Sequence, residues 1–279
     1  MEANKIYMQL EKDFVKPEFT DDWEKSMIGI EDFITDQYKR RYMGLVCDNT
    51  KTINKVYTAV FASRKVMQEI LDKNERDIML FVHHPAEWKI TGNPSPWILM
   101  ERELLEKFKE NRISIFNYHV PLDNYSQYST SNNLAKNIGL MVEKPISPYY
   151  GALSGVFCTT TLSLDELRNK FSHAVGHQVS LYKYGEESSN VAIVAGGGNI
   201  SEDYEYLKRL GVNVLVTGVA VKNDYSEEAH NMAKKFGISI LGGTHYSTEK
   251  FACMAMVNYF KKLGMDSEFL KDELCMEDL

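Results

Sequence analysis

Apolar runs of strand length alternate with longer amphipathic segments along most of the chain, and no other feature restricts its fold as strongly. A strand, then a helix, then another strand lets parallel strands lie side by side while the helices cross over their faces. Residues 54–61 are expected as a strand, and Ser63 can cap a helix running to about residue 72. Residues 77–82 form the next expected strand, its apolar run Ile78-Met79-Leu80-Phe81-Val82 followed directly by His83, His84 and Pro85. Residues 96–111 read as a helix with Trp97, Met100, Leu104, Leu105 and Phe108 along one side. Residues 113–118 read as a strand that ends at His119.

The stretch 121–133 is polar and turn-rich, and 145–155 carries Pro145, Pro148, Gly151 and Gly155. The second stretch is expected to connect two lobes. Beyond it the same grammar returns. Strands are expected over 156–160, 179–184, 191–195, 212–217 and 238–241, with helices over 163–174, 201–210 and about 227–236. Ser163 and Glu166 stand at the spacing of a capping box. The expected class is therefore α/β.

A chain of 279 residues with 44% hydrophobic and 25% charged residues can build one large core or two modest ones, and wholesale disorder is not expected. A net charge of −7 argues against a nucleic-acid partner, because phosphate neutralisation needs a basic face. No apolar stretch approaches the length that crosses a bilayer, and Met1-Glu2-Ala3-Asn4-Lys5 lacks the layout of a signal peptide. The expectation is a cytoplasmic protein without a membrane partner. Cys47, Cys158, Cys253 and Cys275 are scattered, with no CxxC spacing, and read as reduced thiols and not as a disulfide framework or zinc knuckle.

Each candidate functional residue lies where an expected strand ends, which is where open α/β sheets bind ligands. His83 and His84 follow one strand, His119 and Asp123 another, and Gly242-Gly243-Thr244-His245 a third. Within a strand, neighbouring side chains point to opposite faces, so two adjacent histidines serve one site only past its end. Pro85 also keeps His84 extended. His245 and Glu249 are four apart at the start of the last helix and share a face. Three histidines, one Asp and one Glu offer five nitrogen and oxygen ligands, a set suited to zinc, manganese or iron. Each piece also has a plainer reading: a surface histidine pair, a turn aspartate, a helix-terminal ion pair. Gly196-Gly197-Gly198 resembles a phosphate-cradling turn but lacks the full spacing of one, so a glycine-rich turn is the preferred reading. His173, His177 and His230 lack partners at useful spacing and read as ordinary surface or helix histidines.

Val82-His83-His84-Pro85, His119-Val120-Pro121-Leu122-Asp123 and Gly243-Thr244-His245-Tyr246-Ser247-Thr248-Glu249 resemble the three signatures of the NIF-three-like dinuclear-metal proteins, a family also labelled GTP cyclohydrolase type-two-like. Gly44-Leu45-Val46, Gly196-Gly197-Gly198 and Val216-Thr217-Gly218 fall in the family's order, so the resemblance covers most of the chain. It implies two similar three-layer α/β/α lobes, one built from 1–140 plus 239–279 and the other from 141–238. It implies two divalent ions per chain held by His83, His84, Asp123, His245 and Glu249, with Glu249 as the bridge. His119 matches a histidine near the metals and takes the catalytic role of moving a proton. A ring-shaped homohexamer, a trimer of dimers, is implied as well. Val219 stands where the family has an acidic residue after Thr217-Gly218, and Lys222-Asn223 stands where it has a histidine. The expected activity is that of a metal-dependent hydrolase acting on a nucleotide or other small molecule. A metal carrier and a hexameric scaffold without catalysis are the alternatives.

Overall fold

A computed structural model describes residues 1–92, 95–224 and 226–279. The chain divides into two compact units: residues 1–122, 150–152 and 253–273 form the first, and residues 123–149, 153–252 and 274–279 the second.

The first unit is organised on a five-stranded sheet in the order Gly44–Cys47, Ile113–Asn117, Ile78–His84, Lys55–Phe61, Asp266–Phe269. Its strands run parallel except Gly44–Cys47, which pairs antiparallel at one edge. Alternation along the strands sends side chains to two covered faces. Ile78, Leu80 and Val82 join Ile113 and Ile115 in a core with Val66, Met67 and Ile70 of the helix Arg64–Asp72 and Leu104, Leu105 and Phe108 of the helix Arg102–Glu110. The complete burial of Phe108 is by itself worth about 1.5–3 kcal/mol. On the other face Phe81 stacks 6.1 Å from Phe116, which stacks 5.7 Å from Tyr7 of the helix Ala3–Phe14. Phe81 also meets Phe260 at 5.5 Å. The unit therefore has helices on both faces of its sheet.

The second unit holds a six-stranded sheet in the order Val142–Tyr149, Ala152–Thr159, Asn190–Val194, Val214–Thr217, Ser239–Gly242, Ser180–Tyr182. The strands Asn190–Val194, Val214–Thr217 and Ser239–Gly242 are parallel, and the pairings to Ala152–Thr159 and Ser180–Tyr182 are antiparallel. The period of two is plain in the cores. Val191, Ile193, Val214 and Val216 face one way, toward Leu167 and Phe171, and Ala192, Val194 and Leu215 face Tyr204, Leu207 and Ala233. Mixed α/β architecture is thus the fold, as expected.

Several local expectations are corrected. The helix expected over 96–111 begins at Arg102, because Trp97–Ile98 pairs as a short strand with Glu87–Trp88 and the rings of Trp88 and Trp97 meet at 4.9 Å. Aromatic cross-strand packing outweighs helical spacing there. The polar stretch 121–133 contains the start of the helix Thr130–Ile138, whose Leu134, Ala135 and Ile138 are core residues of the second unit. The connection expected at 145–155 is a hairpin joining Val142–Tyr149 to Ala152–Thr159, with Tyr150 and Gly151 at positive φ. Where lobe boundaries near 140 and 239 were expected, the units divide after Leu122 and after Ala252. The reason is pairing: Ser239–Gly242 is hydrogen-bonded to Val214–Thr217 and belongs with the second sheet. The helix His245–Lys262 belongs to the second unit through Ala252 and to the first from Cys253. The strand Asp266–Phe269 escapes sequence reading because only Ser267 and Phe269 turn inward, and Glu268 pairs with Lys55 at 2.9 Å on the exposed side.

Candidate metal centre

In the first unit the strand Ile78–His84 runs two residues further than expected, so His83 and His84 both lie inside it. The ladder to Ile113–Asn117 ends at Val82↔Asn117, whereas that to Lys55–Phe61 continues to Phe61↔His84. The strand ladder therefore reaches the last two residues from one side only, and their rings meet at 4.2 Å in spite of strand alternation. Both histidines are buried. The Nδ1 of His83 lies 2.9 Å from the carbonyl of Tyr118. A carbonyl only accepts, so Nδ1 carries a proton and Nε2 keeps the lone pair. Asn117 Nδ2 donates to the carbonyl of His83 and is itself held by Tyr38, whose hydroxyl donates to Asn117 Oδ1 at 2.8 Å.

His84 is enclosed by aromatic rings: Phe61 at 5.2 Å, Trp97 at 4.8 Å and Trp23 at 5.6 Å. His119 completes a triad of imidazoles, its ring 5.2 Å from His83 and 4.8 Å from His84. The three histidines offer one ligand atom each, and these lie within 4.8 Å of one another. His119 Nδ1 is 3.1 Å from both carboxylate oxygens of Asp21, 98 positions earlier in the chain. No periodicity in the sequence points to that contact.

In the second unit the parts are a helix start, a glycine turn and a carboxylate. His245 opens the helix His245–Lys262, and its Nε2 lies 3.2 Å from Glu249 Oε1 one turn on, with both side chains buried. The backbone amide of His245 donates to Asp278 Oδ2 at 2.9 Å, which places a carboxylate at the positive end of that helix. Asp123 is also buried and accepts a hydrogen bond from Thr130 Oγ1 at 2.7 Å. Carboxylate oxygens of Asp123 and Glu249 lie within 4.8 Å of each other. Two ionised carboxylates that close and that buried repel unless positive charge compensates them. A divalent cation with an imidazole ligand beside it answers that requirement, so the donor set fits a metal.

The Gly196-Gly197-Gly198 turn serves this arm. Gly196 sits at φ +70°, and a Cβ there would come within 2.1 Å of Glu249 Oε1 and 3.0 Å of His245 Nε2. Its amide donates to Thr248 Oγ1 at 3.0 Å, and its carbonyl accepts from the amide of Gly218 at 2.9 Å and from Thr217 Oγ1 at 3.1 Å. The helix beyond, Tyr204–Arg209, is short and reached only after the 3-10 turn Ser201–Asp203. The plain glycine-rich turn is the better description, with the added task of giving Glu249 room.

Other expected sites resolve differently. His230 is a helix histidine, as one of its two expected readings had it, but it is buried, its Nε2 3.0 Å from the carbonyl of Ala220 and its Nδ1 2.9 Å from the Tyr184 hydroxyl. Burial holds its pKa below the ordinary imidazole value. His177 Nε2 is 2.9 Å from Ser247 Oγ at the start of the long helix. Burial pushes the thiols of Cys47 and Cys158 up to about 12, so neither is disposed to act as a thiolate ligand. No helix among the described residues is long and apolar enough to cross a membrane.

Several known proteins are similar to this chain. A GTP cyclohydrolase 1 type 2 homolog of Borreliella burgdorferi is 26% identical over 219 residues, covering 75% of this chain and 79% of that protein. A protein of the same name from Pseudomonas aeruginosa is 26% identical over 222 residues, covering 78% and 83%. Among solved structures, the ybgI protein, described as of unknown function, superposes with a TM-score of 0.74 at 21% identity, covering 98% of this chain and 99% of its own. Reduced HcgD from Methanocaldococcus jannaschii gives 0.70 at 21% identity, covering 98% of each chain. These two establish likeness of fold. The profile of the DUF34/NIF3 family (NGG1p interacting factor 3) matches residues 34–273, and the chain belongs to that family.

Proposed function

We propose that this protein is a metal-dependent hydrolase with a dinuclear centre whose ligands are His83, His84, Asp123, His245 and Glu249. The observation that carries the reading is the buried donor chemistry within each unit. Three imidazoles converge in the first, and two carboxylates and an imidazole in the second. Family membership supports the same reading, and the name shared by the similar proteins, GTP cyclohydrolase 1 type 2 homolog, suggests a nucleotide such as GTP as the substrate class. Two divalent ions bound by this set would supply Lewis-acid activation of water and of the bond under attack. The chain's own contribution is to hold the ligands in a dry environment and to move a proton through His119. Glu249 is the bridging carboxylate in this reading. The protein is further proposed to act as a cytoplasmic homohexamer, a trimer of dimers, on a small-molecule substrate, without a nucleic-acid or membrane partner.

The test is elemental analysis of protein purified without chelators, paired with turnover of GTP by the same sample. About two zinc, manganese or iron ions per chain and release of product support the reading. Absence of stoichiometric metal after reconstitution overturns it. Metal transfer to an apo-acceptor with no turnover of any substrate would assign the centre to metal delivery instead. Light scattering at micromolar concentration tests the ring, and a single species at the 32.0 kDa chain mass would rule the hexamer out.

A further inference from the structure

The residues matched by the family profile begin at position 34, yet two side chains from the preceding segment lie on the imidazole cluster of the first unit. Asp21 meets His119 Nδ1 through both of its oxygens at 3.1 Å, and Trp23 meets the rings of His84 at 5.6 Å and His119 at 5.2 Å, edge-on in both cases. The Asp21 side chain is 3% exposed and the His119 side chain 12%. An ionised carboxylate has no proton to give, so a ring nitrogen facing it must carry one. The backbone amide of Val120 points at the same carboxylate at 3.5 Å.

We propose that Asp21 is a positioning residue that fixes His119 in its Nδ1-protonated form, leaving Nε2 as the nitrogen that accepts and returns the proton. Trp23 assists by holding the ring plane. Trp23 is itself wedged at 4.9 Å against Trp97, so its own freedom is small. A histidine whose far nitrogen is held by a carboxylate keeps one tautomer and one orientation; where such a histidine ligates a metal, loss of the partner costs about 10–100-fold in metal affinity or activity, and an effect of that order is expected here. This inference rests on the proposal that His119 moves a proton. It assigns to the segment ahead of the family core a part in the chemistry and not only in packing.

The test is a long-range nitrogen–proton correlation spectrum of histidine-labelled, zinc-loaded protein at about pH 8, where an ordinary imidazole is neutral. His119→Gln identifies the His119 signals by their disappearance. The wild-type spectrum is expected to show protonated Nδ1 and unprotonated Nε2 at His119. Asp21→Asn can donate as well as accept, so it should shift His119 toward the Nε2-protonated form, and Asp21→Glu should restore the first. With GTP as substrate, Asp21→Asn is expected to lower kcat about tenfold or more with KM within about twofold. Protonated Nε2 at His119 in the wild type overturns the proposal even if the variants fail to fold. An unchanged spectrum in Asp21→Asn also overturns it. Absent turnover in the wild type counts against the hydrolase and leaves the spectral result to decide the positioning role.

Discussion

The imidazole cluster of the first unit and the His245–Glu249 arm of the second reach similar donor chemistry by different means. In the first, His83 and His84 end a buried central strand; Phe61, Trp23 and Trp97 grip His84, and the Tyr118 carbonyl holds His83. Bulk holds the pair's outer ring. In the second, the donors sit on the first turn of a helix, and room is made for them by removing atoms: Gly196 lacks the Cβ that would strike Glu249. One site is shaped by what surrounds it and the other by what is missing. The first should therefore tolerate small backbone changes nearby and suffer from loss of packing, while the second should suffer most from a single added methyl group.

The largest expected effect tests whether one donor serves both of the proposed ions. Glu249→Ala is predicted to lose both, whereas His84→Ala or Asp123→Ala should weaken mainly one. Elemental analysis after dialysis checks this, and equal single-ion losses for all three variants would overturn the bridging role proposed for Glu249. Next in size is Gly196→Ala. A positive φ costs an L-residue about 1–2 kcal/mol and overpacking typically about 1–3 kcal/mol, so a loss of about 2–5 kcal/mol is expected. Gly197→Ala, with nothing within 4 Å of the new methyl, is the matched control and should lie near zero. Denaturant unfolding of both variants decides whether the arm depends on the missing atom.

A smaller effect is expected at the head of the same helix. Asp278→Ala removes the carboxylate that caps the His245 amide and should cost about 1 kcal/mol. If Tm is unchanged, the helix start owes nothing to that cap. The smallest effect sharpens the contrast with a histidine that uses protein partners on both nitrogens. Burial lowers the pKa of His230, so protonation favours the unfolded chain. Its stabilising contribution is complete above the unfolded value of about 6.5 and is lost as pH falls through the lower folded value. His230→Gln should flatten the stability profile over that window. A profile identical to the wild type would show that His230 is not the group responsible.

How much of this was legible beforehand depended on distance along the chain. The helix Glu227–Phe236 and the Ser163–Glu166 capping box are found where the sequence put them, because spacing and caps act within one turn. The expected alternation of strands and helices likewise survives, since each core strand keeps its apolar run. The strand end at His83 and His84 was misplaced by two residues. A polar residue at a strand terminus looks the same whether the ladder stops before it or after it. Trp97 was misread because apolar spacing of three and four fits a helix until a partner strand claims the residue.

The sequence by itself determined the α/β class, the pairing of His245 with Glu249 on one helical face, and the candidate ligands His83, His84 and Asp123. All of these depend on local periodicity or on residue chemistry. Tertiary structure alone decided that Asp21 meets His119, that Gly196 must be glycine beneath Glu249, and that His230 is buried among backbone and tyrosine partners. Those contacts join residues 10–98 positions apart, or more than 50 in the case of Gly196 and Thr248. Their physical basis is shape and solvent exclusion in a packed interior.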